Sequence, residues 1–250
     1  MFKETVITPL GKYGYLIGDI AKDVFQKGIN WKDLTKEIVK IGNNSFMIVL
    51  LTNLFTGMVL ALQTAHGLER FGAKLYVGNI VSLAQVRELG PVLTAVMLCG
   101  RVGAGIAAEI ASMVVTEQVD AIKALGANPI RKLVSPRVVA SIIVLPLLTV
   151  LADFIGILGG AFVAVTELNL SSHVYYRSVV NFVQISDVID GLIKSAAFGF
   201  LFVSIACYKG LNARGGTEGV GRATTEAVVT GSIFILISDF FLTKFLIIIE

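Results

Sequence analysis

The chain has 250 residues, 55% of them hydrophobic and 16% charged, with a formal net charge of +3 and a mean hydropathy of +0.79. So little charge cannot cover the water-facing surface of a soluble domain, where about 25% is usual, and the length suits one domain or one bundle. A charge of +3 with no basic patch gives no reason to expect nucleic acid, and the two isolated cysteines, Cys99 and Cys207, build no disulfide framework.

In chain order, the N-terminus contains no short apolar run ending in a small-residue cleavage site, so no cleaved signal peptide is expected. Leu10, Tyr13, Ile17, Ile20, Ala21 and Val24 recur at helical spacing with Lys12, Asp19, Lys22 and Asp23 between them. Asn30 is placed to cap a second amphipathic helix, with Trp31, Leu34, Ile38 and Ile41 on one face and Lys32, Lys36 and Lys40 on the other. Two readings fit that second helix: it lies on an anionic leaflet before the chain turns into the first span, or it packs on other protein.

A spanning helix needs roughly 20 mostly apolar residues to cross the hydrocarbon. Five stretches qualify, at about residues 45–63, 89–111, 138–165, 192–208 and 227–249. The second contains Arg101 and Glu109, and the third has Pro146 as a point of kinking. Between the second and third, Thr116 is expected to cap a short helix over 117–125 that Gly126 ends and Pro129 keeps from resuming. Glu117 and Asp120 lie near its start, where the helix dipole favours them. Spacing alone allows either a helix that plugs into a motor or an ordinary loop helix. A further short helix is expected over 173–183, with Tyr175, Val179 and Phe182 on one side.

Basic residues set the direction. Seven fall in residues 1–42, four between spans two and three, and three between spans four and five, against only Arg70, Lys74, Arg87 and Arg177 in the opposite loops. The excess of basic residues on one side places the N-terminus in the cytoplasm and Glu250 outside. The expected fold is an all-α polytopic membrane bundle of five transmembrane helices with an N-terminal amphipathic interfacial helix. Residues 1–42 form the cytoplasmic or interfacial segment, and 43–250 the transmembrane domain.

Motifs for catalysis fail on context. Gly103-Ala-Gly105-Ile-Ala-Ala108 fits a dinucleotide pattern, but it lies inside a span with no strand before it. Small residues there (Gly100, Gly103, Ala104, Ala108), and Gly156 with Gly160, suit close helix packing instead. Gly216 to Arg222 resembles a phosphate loop, but arginine stands where lysine is needed and Ala223 where a hydroxyl is needed. His66 and His173 lack neighbours at ligand spacing, so no metal site is expected. Arg101, Glu109, Asp153, Asp239 and Lys244 lie within spans and must face the bundle interior, a wet cavity or the interface. Interhelical ion pairing is the expectation for Arg101 and Asp239, and Lys244 can snorkel outward.

One region carries a resemblance. The run RELGPVLTAV, then GRVGA, AAEI, Met113, TEQVDAI, Leu125-Gly126, Asn128-Pro129-Ile130 and SPRV resembles the signature of MlaE-type (YrbE-like) permeases. These are membrane subunits of ABC systems that move lipids with MCE-domain proteins. GMVLALQ at 57–63, LPLLT at 145–149 and GRATTEAVV at 221–229 extend the similarity over about residues 42–250, while the first 41 residues match nothing distinctive. Ala111 stands where the family often has glycine, and Cys99 where it has a small residue.

The resemblance implies a permease in a bacterial inner membrane, working as a homodimer. Each copy is bound by a cytoplasmic ABC ATPase, a periplasmic ring of MCE proteins sits outside, and a small cytoplasmic accessory protein is allowed. It implies that the chain itself is no enzyme and holds no cofactor, ATP and magnesium belonging to the ATPase. It makes 117–125 the coupling helix, with Glu117, Asp120, Ala121, Leu125 and Gly126 at the ATPase contact. It puts Leu60, Leu68, Phe71, Arg87 and Glu88 around a lipid cavity, where leucine and phenylalanine suit acyl chains and a charge at the water–lipid boundary suits a headgroup. The plainer reading of these five is that the apolar ones face bulk lipid and the charged ones anchor a helix end. The rival classes are an ion-coupled secondary transporter, using the intramembrane acids without an ATPase, and an intramembrane lipid transferase.

Overall fold

The computed structural model describes residues 8–28 and 30–249, the side chains at 8–10 and 25–27 excepted. The expected contributions of Lys3, Leu10, Lys27 and Glu250 therefore lie outside what is described. Among the described residues there are helices and no strands. In order they are α1 (Thr8–Lys27), α2 (Trp31–Glu69), α3 (Lys74–Val115), α4 (Gln118–Ala124), α5 (Ile130–Thr166), α6 (Ser172–Phe182), α7 (Ile185–Leu211) and α8 (Gly216–Ile249). α2, α3, α5, α7 and α8 are long and apolar enough to cross a membrane, which gives the five expected spans.

Each span is longer than its apolar stretch, and α2 corrects one expectation. Asn30 does cap a helix: its Oδ1 accepts the Lys32 N–H at 3.1 Å and its carbonyl accepts those of Asp33 and Leu34. The chain does not turn before the first span, however. Leu34, Ile41, Ser45 and Val49 form one buried stripe at helical spacing, and no proline interrupts the backbone ladder. The amphipathic segment and the span are therefore one helix, and α1 remains as the separate N-terminal amphipathic helix.

The chain divides into two compact units, and each of the five spanning helices contributes to both. The first comprises Met1–Asn43, Leu98–Val144 and Gly199–Ile237. In it α1 is held by Tyr13, whose hydroxyl lies 2.7 Å from Ser204 Oγ and whose ring stands edge-on to Tyr208 at 5.6 Å. Asp23 of α1 accepts a hydrogen bond from Ser135 at 3.1 Å. α5 and α7 meet where Ser141 Oγ donates to the Gly199 carbonyl at 2.9 Å. Of the small residues expected to allow close packing in α3, Gly103 lies against Phe202, whereas Gly100 has nothing near its Cβ position.

The second unit comprises Asn44–Met97, Leu145–Phe198 and Ser238–Glu250. Here α2 and α5 approach so closely that a Cβ on Gly57 would overlap the Gly156 backbone, and one on Gly159 would meet the Leu54 carbonyl. One turn on, Gly160 makes room for Tyr175 of α6, whose hydroxyl donates to the Ile157 carbonyl at 3.3 Å. Burial pushes that phenol well above its usual range, so it stays a donor. Pairing of Gly156 and Gly160 with neighbouring helices is the packing role expected of them.

Candidate functional site

α3 carries two π-helical turns, Gln85–Leu89 and Cys99–Gly103, each fitting an extra residue into a helical turn. The first holds Arg87 and Glu88, and in the second unit both are tied to residues about a hundred positions away. Arg87 pairs with Asp187, which also accepts the Gln184 backbone N–H at 2.7 Å and so closes the start of α7. Glu88 accepts from Lys194 at 2.8 Å and from Thr243 Oγ1 at 3.3 Å. Lys194 also donates to the Arg87 carbonyl at 3.0 Å and stands 3.6 Å from Asp239 Oδ1.

Lys194, with a side chain only 3% exposed, thus sets one cation between two carboxylates on α3 and α8. A buried ammonium is tolerated only with such partners. Asp239 Oδ1 is itself buried and accepts no hydrogen bond among the described residues. The part-exposed Glu88 carboxylate can offer an acceptor to a donor group. The ion pair expected for Asp239 is present. Lys194 and Thr243 escaped the sequence reading, because no local spacing links them to Glu88.

The apolar candidates fall in different places. Leu60 and Leu68 are half-buried on α2, packed against the cluster of Ala61, Ala65, Val77, Val81 and Val163. Phe71 lies in the turn after α2 and is 82% exposed. A separate polar set lies in the same unit: Gln85 Nε2 donates to Asn53 Oδ1 at 2.9 Å, while Gln85 Oε1 and Asp153 Oδ1 accept no hydrogen bond among the described residues.

In the first unit the short helix expected over 117–125 is Gln118–Ala124. Its cap is Glu117 and not Thr116, with a left-handed φ of 60° and no side-chain cap bond. Thr116 Oγ1 donates back to the Ser112 carbonyl at 2.8 Å, which removes it as a cap. The far end is as expected. Gly126 has φ +74°, its N–H bonds Lys123 O, and the Ala127 N–H bonds Ile122 O, the paired closure that a left-handed glycine permits. Val119 is buried, while Glu117, Asp120, Ala121 and Leu125 are exposed, Leu125 at 86%. Asp120 and Lys123 pair at 2.8 Å along the outer face.

In the same unit Arg137 of α5 joins Glu109 of α3 at 2.6 Å and Glu37 of α2 at 3.2 Å, and Lys40 closes on Glu109 at 2.7 Å. Glu109 is thus a bridge between helices. Arg101, in the second π turn, is exposed and has no acidic partner among the described residues, so the ion pair expected for it does not form.

The family described as Permease MlaE matches residues 34–245. A probable ABC transporter permease protein of Rickettsia typhi is 47% identical over 213 residues, covering 85% of this chain and 82% of that one. A probable ABC transporter permease protein of Synechocystis is 42% identical, covering 92% of this chain and 87% of that one. The chloroplastic protein TRIGALACTOSYLDIACYLGLYCEROL 1 of Arabidopsis thaliana is 34% identical, covering 92% of this chain and 66% of that one.

Proposed function

The chain belongs to the MlaE permease family of ABC transporters, and from that premise we propose that it moves phospholipids or related lipids between the inner and outer membranes of a bacterium. Two copies act together, each driven by a cytoplasmic ATPase, with an MCE-domain ring on the periplasmic side. An ABC permease takes its energy from a partner ATPase, so neither ion coupling by the intramembrane acids nor lipid chemistry in this chain is needed. The Arabidopsis relative bears the name of a lipid, trigalactosyldiacylglycerol, which supports a lipid as the substrate class. The fourteen-to-four basic bias supports a cytoplasmic N-terminus and a periplasmic C-terminus.

The observation that carries the reading is the Glu88–Lys194–Asp239 cluster with Thr243, an ion group built around a buried lysine in the spans of a transport protein. One cation between two carboxylates leaves a net negative site, which suits the hydroxyl or amine donors of a lipid headgroup. Leu60, Leu68 and Phe71 supply apolar wall for the acyl chains. α8 supports the paired arrangement: only 6% of its most apolar stretch is buried within the chain, which leaves that face for lipid or a second copy. ATP binding draws the ATPases together, the α4 helices follow with Glu117, Asp120, Ala121, Leu125 and Gly126 at the contact, and the lipid cavity collapses. Coupling requires that α4 interact differently with the two ATPase arrangements.

Affinity purification of the full chain from its membrane, followed by mass spectrometry, tests this. Phospholipid, an ABC ATPase and an MCE-domain protein should be recovered together. Recovery of the chain without lipid and without an ATPase would overturn the proposal.

A further inference from the structure

The first unit contains a cleft of about 410 Å³ that the transport reading does not use. Four cations line it: Lys12 from α1, Lys209 from the end of α7, Arg214 from the loop, and Arg222 from the first turns of α8. One carboxylate, Glu226, stands among them, and it is fully engaged, holding Lys209 at 2.9 Å and Arg222 at 2.9 Å. Lys12 and Arg214 have no acidic partner among the described residues. The cleft thus carries a surplus of positive charge in a space large enough for a glycerophosphate group.

Two features keep the cations together. Tyr13, next to Lys12, is fixed to Ser204 and Tyr208, so α1 is held beside the end of α7. The first turn of α8 folds back on the loop so tightly that a Cβ at Gly219 would overlap the Arg214 carbonyl. That start of α8 is the stretch whose sequence imitates a phosphate loop. It lacks the lysine and hydroxyl of a nucleotide site but does present an arginine, Arg222.

The geometry points to this cleft as a binding site for a phosphate-bearing anion, occupied by the headgroup of an anionic lipid of the cytoplasmic leaflet. It is separate in residues from the Glu88–Lys194–Asp239 cluster, whose net negative charge suits the opposite chemistry. Basic pockets between helices on a cytoplasmic face are suited to anionic headgroups, each cation adding to the attraction. The choice of a lipid over soluble phosphate rests on the orientation proposed above; the anion site itself does not.

Native mass spectrometry of the full chain in detergent tests it, with phosphatidylglycerol and phosphatidylcholine added in equal amounts. Wild type should retain phosphatidylglycerol selectively, and the double variant K12A/R214A should retain at least about tenfold less. A control double variant of exposed cations outside the cleft, K123A/K132A, should retain as much as wild type. Excess inorganic phosphate should leave the lipid bound, because its acyl chains also hold it. Displacement by phosphate would support the anion site and assign it to a soluble ligand. Equal retention of the two lipids by wild type overturns the proposal even where the double variant fails to fold. Unchanged retention in K12A/R214A, or equal loss in the control, overturns it as well. K194A, assayed alongside, separates the two sites: it should lose lipid transfer by the assembled transporter while keeping phosphatidylglycerol in the cleft.

Discussion

Lys194 has three ammonium protons and three oxygen neighbours: Glu88 Oε1, the Arg87 carbonyl and, at longer range, Asp239 Oδ1. Removing it leaves the Glu88 and Asp239 carboxylates without the cation they share. Lys194→Ala is expected to lower lipid transfer by at least about tenfold while leaving ATPase binding intact, and Lys194→Arg to restore part of it. A transfer assay paired with an ATPase pull-down checks this; unchanged transfer in Lys194→Ala would remove the cluster from the pathway. Close packing gives a second test at this scale. Gly57→Ala places a methyl group into the Gly156 backbone and should destabilise by about 1–3 kcal/mol. Gly100→Ala meets open space and should be neutral or slightly stabilising. Thermal unfolding of the two variants in detergent should rank them so, and equal midpoints would contradict the helix contact.

Among elements, α4 is the most exposed to test. Its outer face offers Asp120 and Leu125, and its length is set by the left-handed Gly126. Asp120→Arg reverses a charge at the helix start and breaks the pair with Lys123, so ATPase binding or stimulation should fall while insertion and dimerisation persist. Lys123→Ala breaks the same pair without reversing the charge and should bind normally; equal loss in both would mean that the pair alone matters. Gly126→Val forces a branched residue into φ +74° and should unravel the end of α4, with the same loss of binding. This helix also shows what a sequence discloses. Asn30 as a cap and Gly126 as a stop were legible because each acts on a backbone group within four residues of itself. The shift of the start from Thr116 to Glu117 was not, since the Thr116 hydroxyl had two backbone choices and bonded Ser112. The union of the amphipathic helix with the first span was written in the stripe Leu34, Ile41, Ser45 and Val49, but the change from charged to apolar flanks hid it.

For the whole molecule, five apolar runs fixed the number of spans because hydrocarbon thickness sets a minimum length and leaves few alternatives. The partners of the intramembrane charges could not be read the same way. Arg87 meets Asp187, Glu88 meets Lys194, and Glu109 meets both Lys40 and Arg137, contacts made by helices that the sequence does not order in space. The orientation remains a proposal resting on basic residues, and cysteine labelling decides it. Ser135 is buried against Asp23 and would report poorly, whereas Ala127, Thr217 and Phe71 are exposed. In intact cells, cysteines at Ala127 and Thr217 should resist an impermeant thiol reagent and one at Phe71 should react, the native Cys99 and Cys207 being buried. The reverse pattern would invert the topology.

In the proposed function, ATP hydrolysis by a partner drives lipid through this chain by way of the Glu88–Lys194–Asp239 cluster. Transfer of a fluorescent phospholipid by proteoliposomes containing the chain with the proposed partners, an ABC ATPase and an MCE-domain protein, tests this. Transfer should require ATP and should collapse in Lys194→Ala although that complex still assembles. Transfer at the same rate without ATP would rule out ATP-driven movement, and the same rate in Lys194→Ala would take the cluster out of the lipid path.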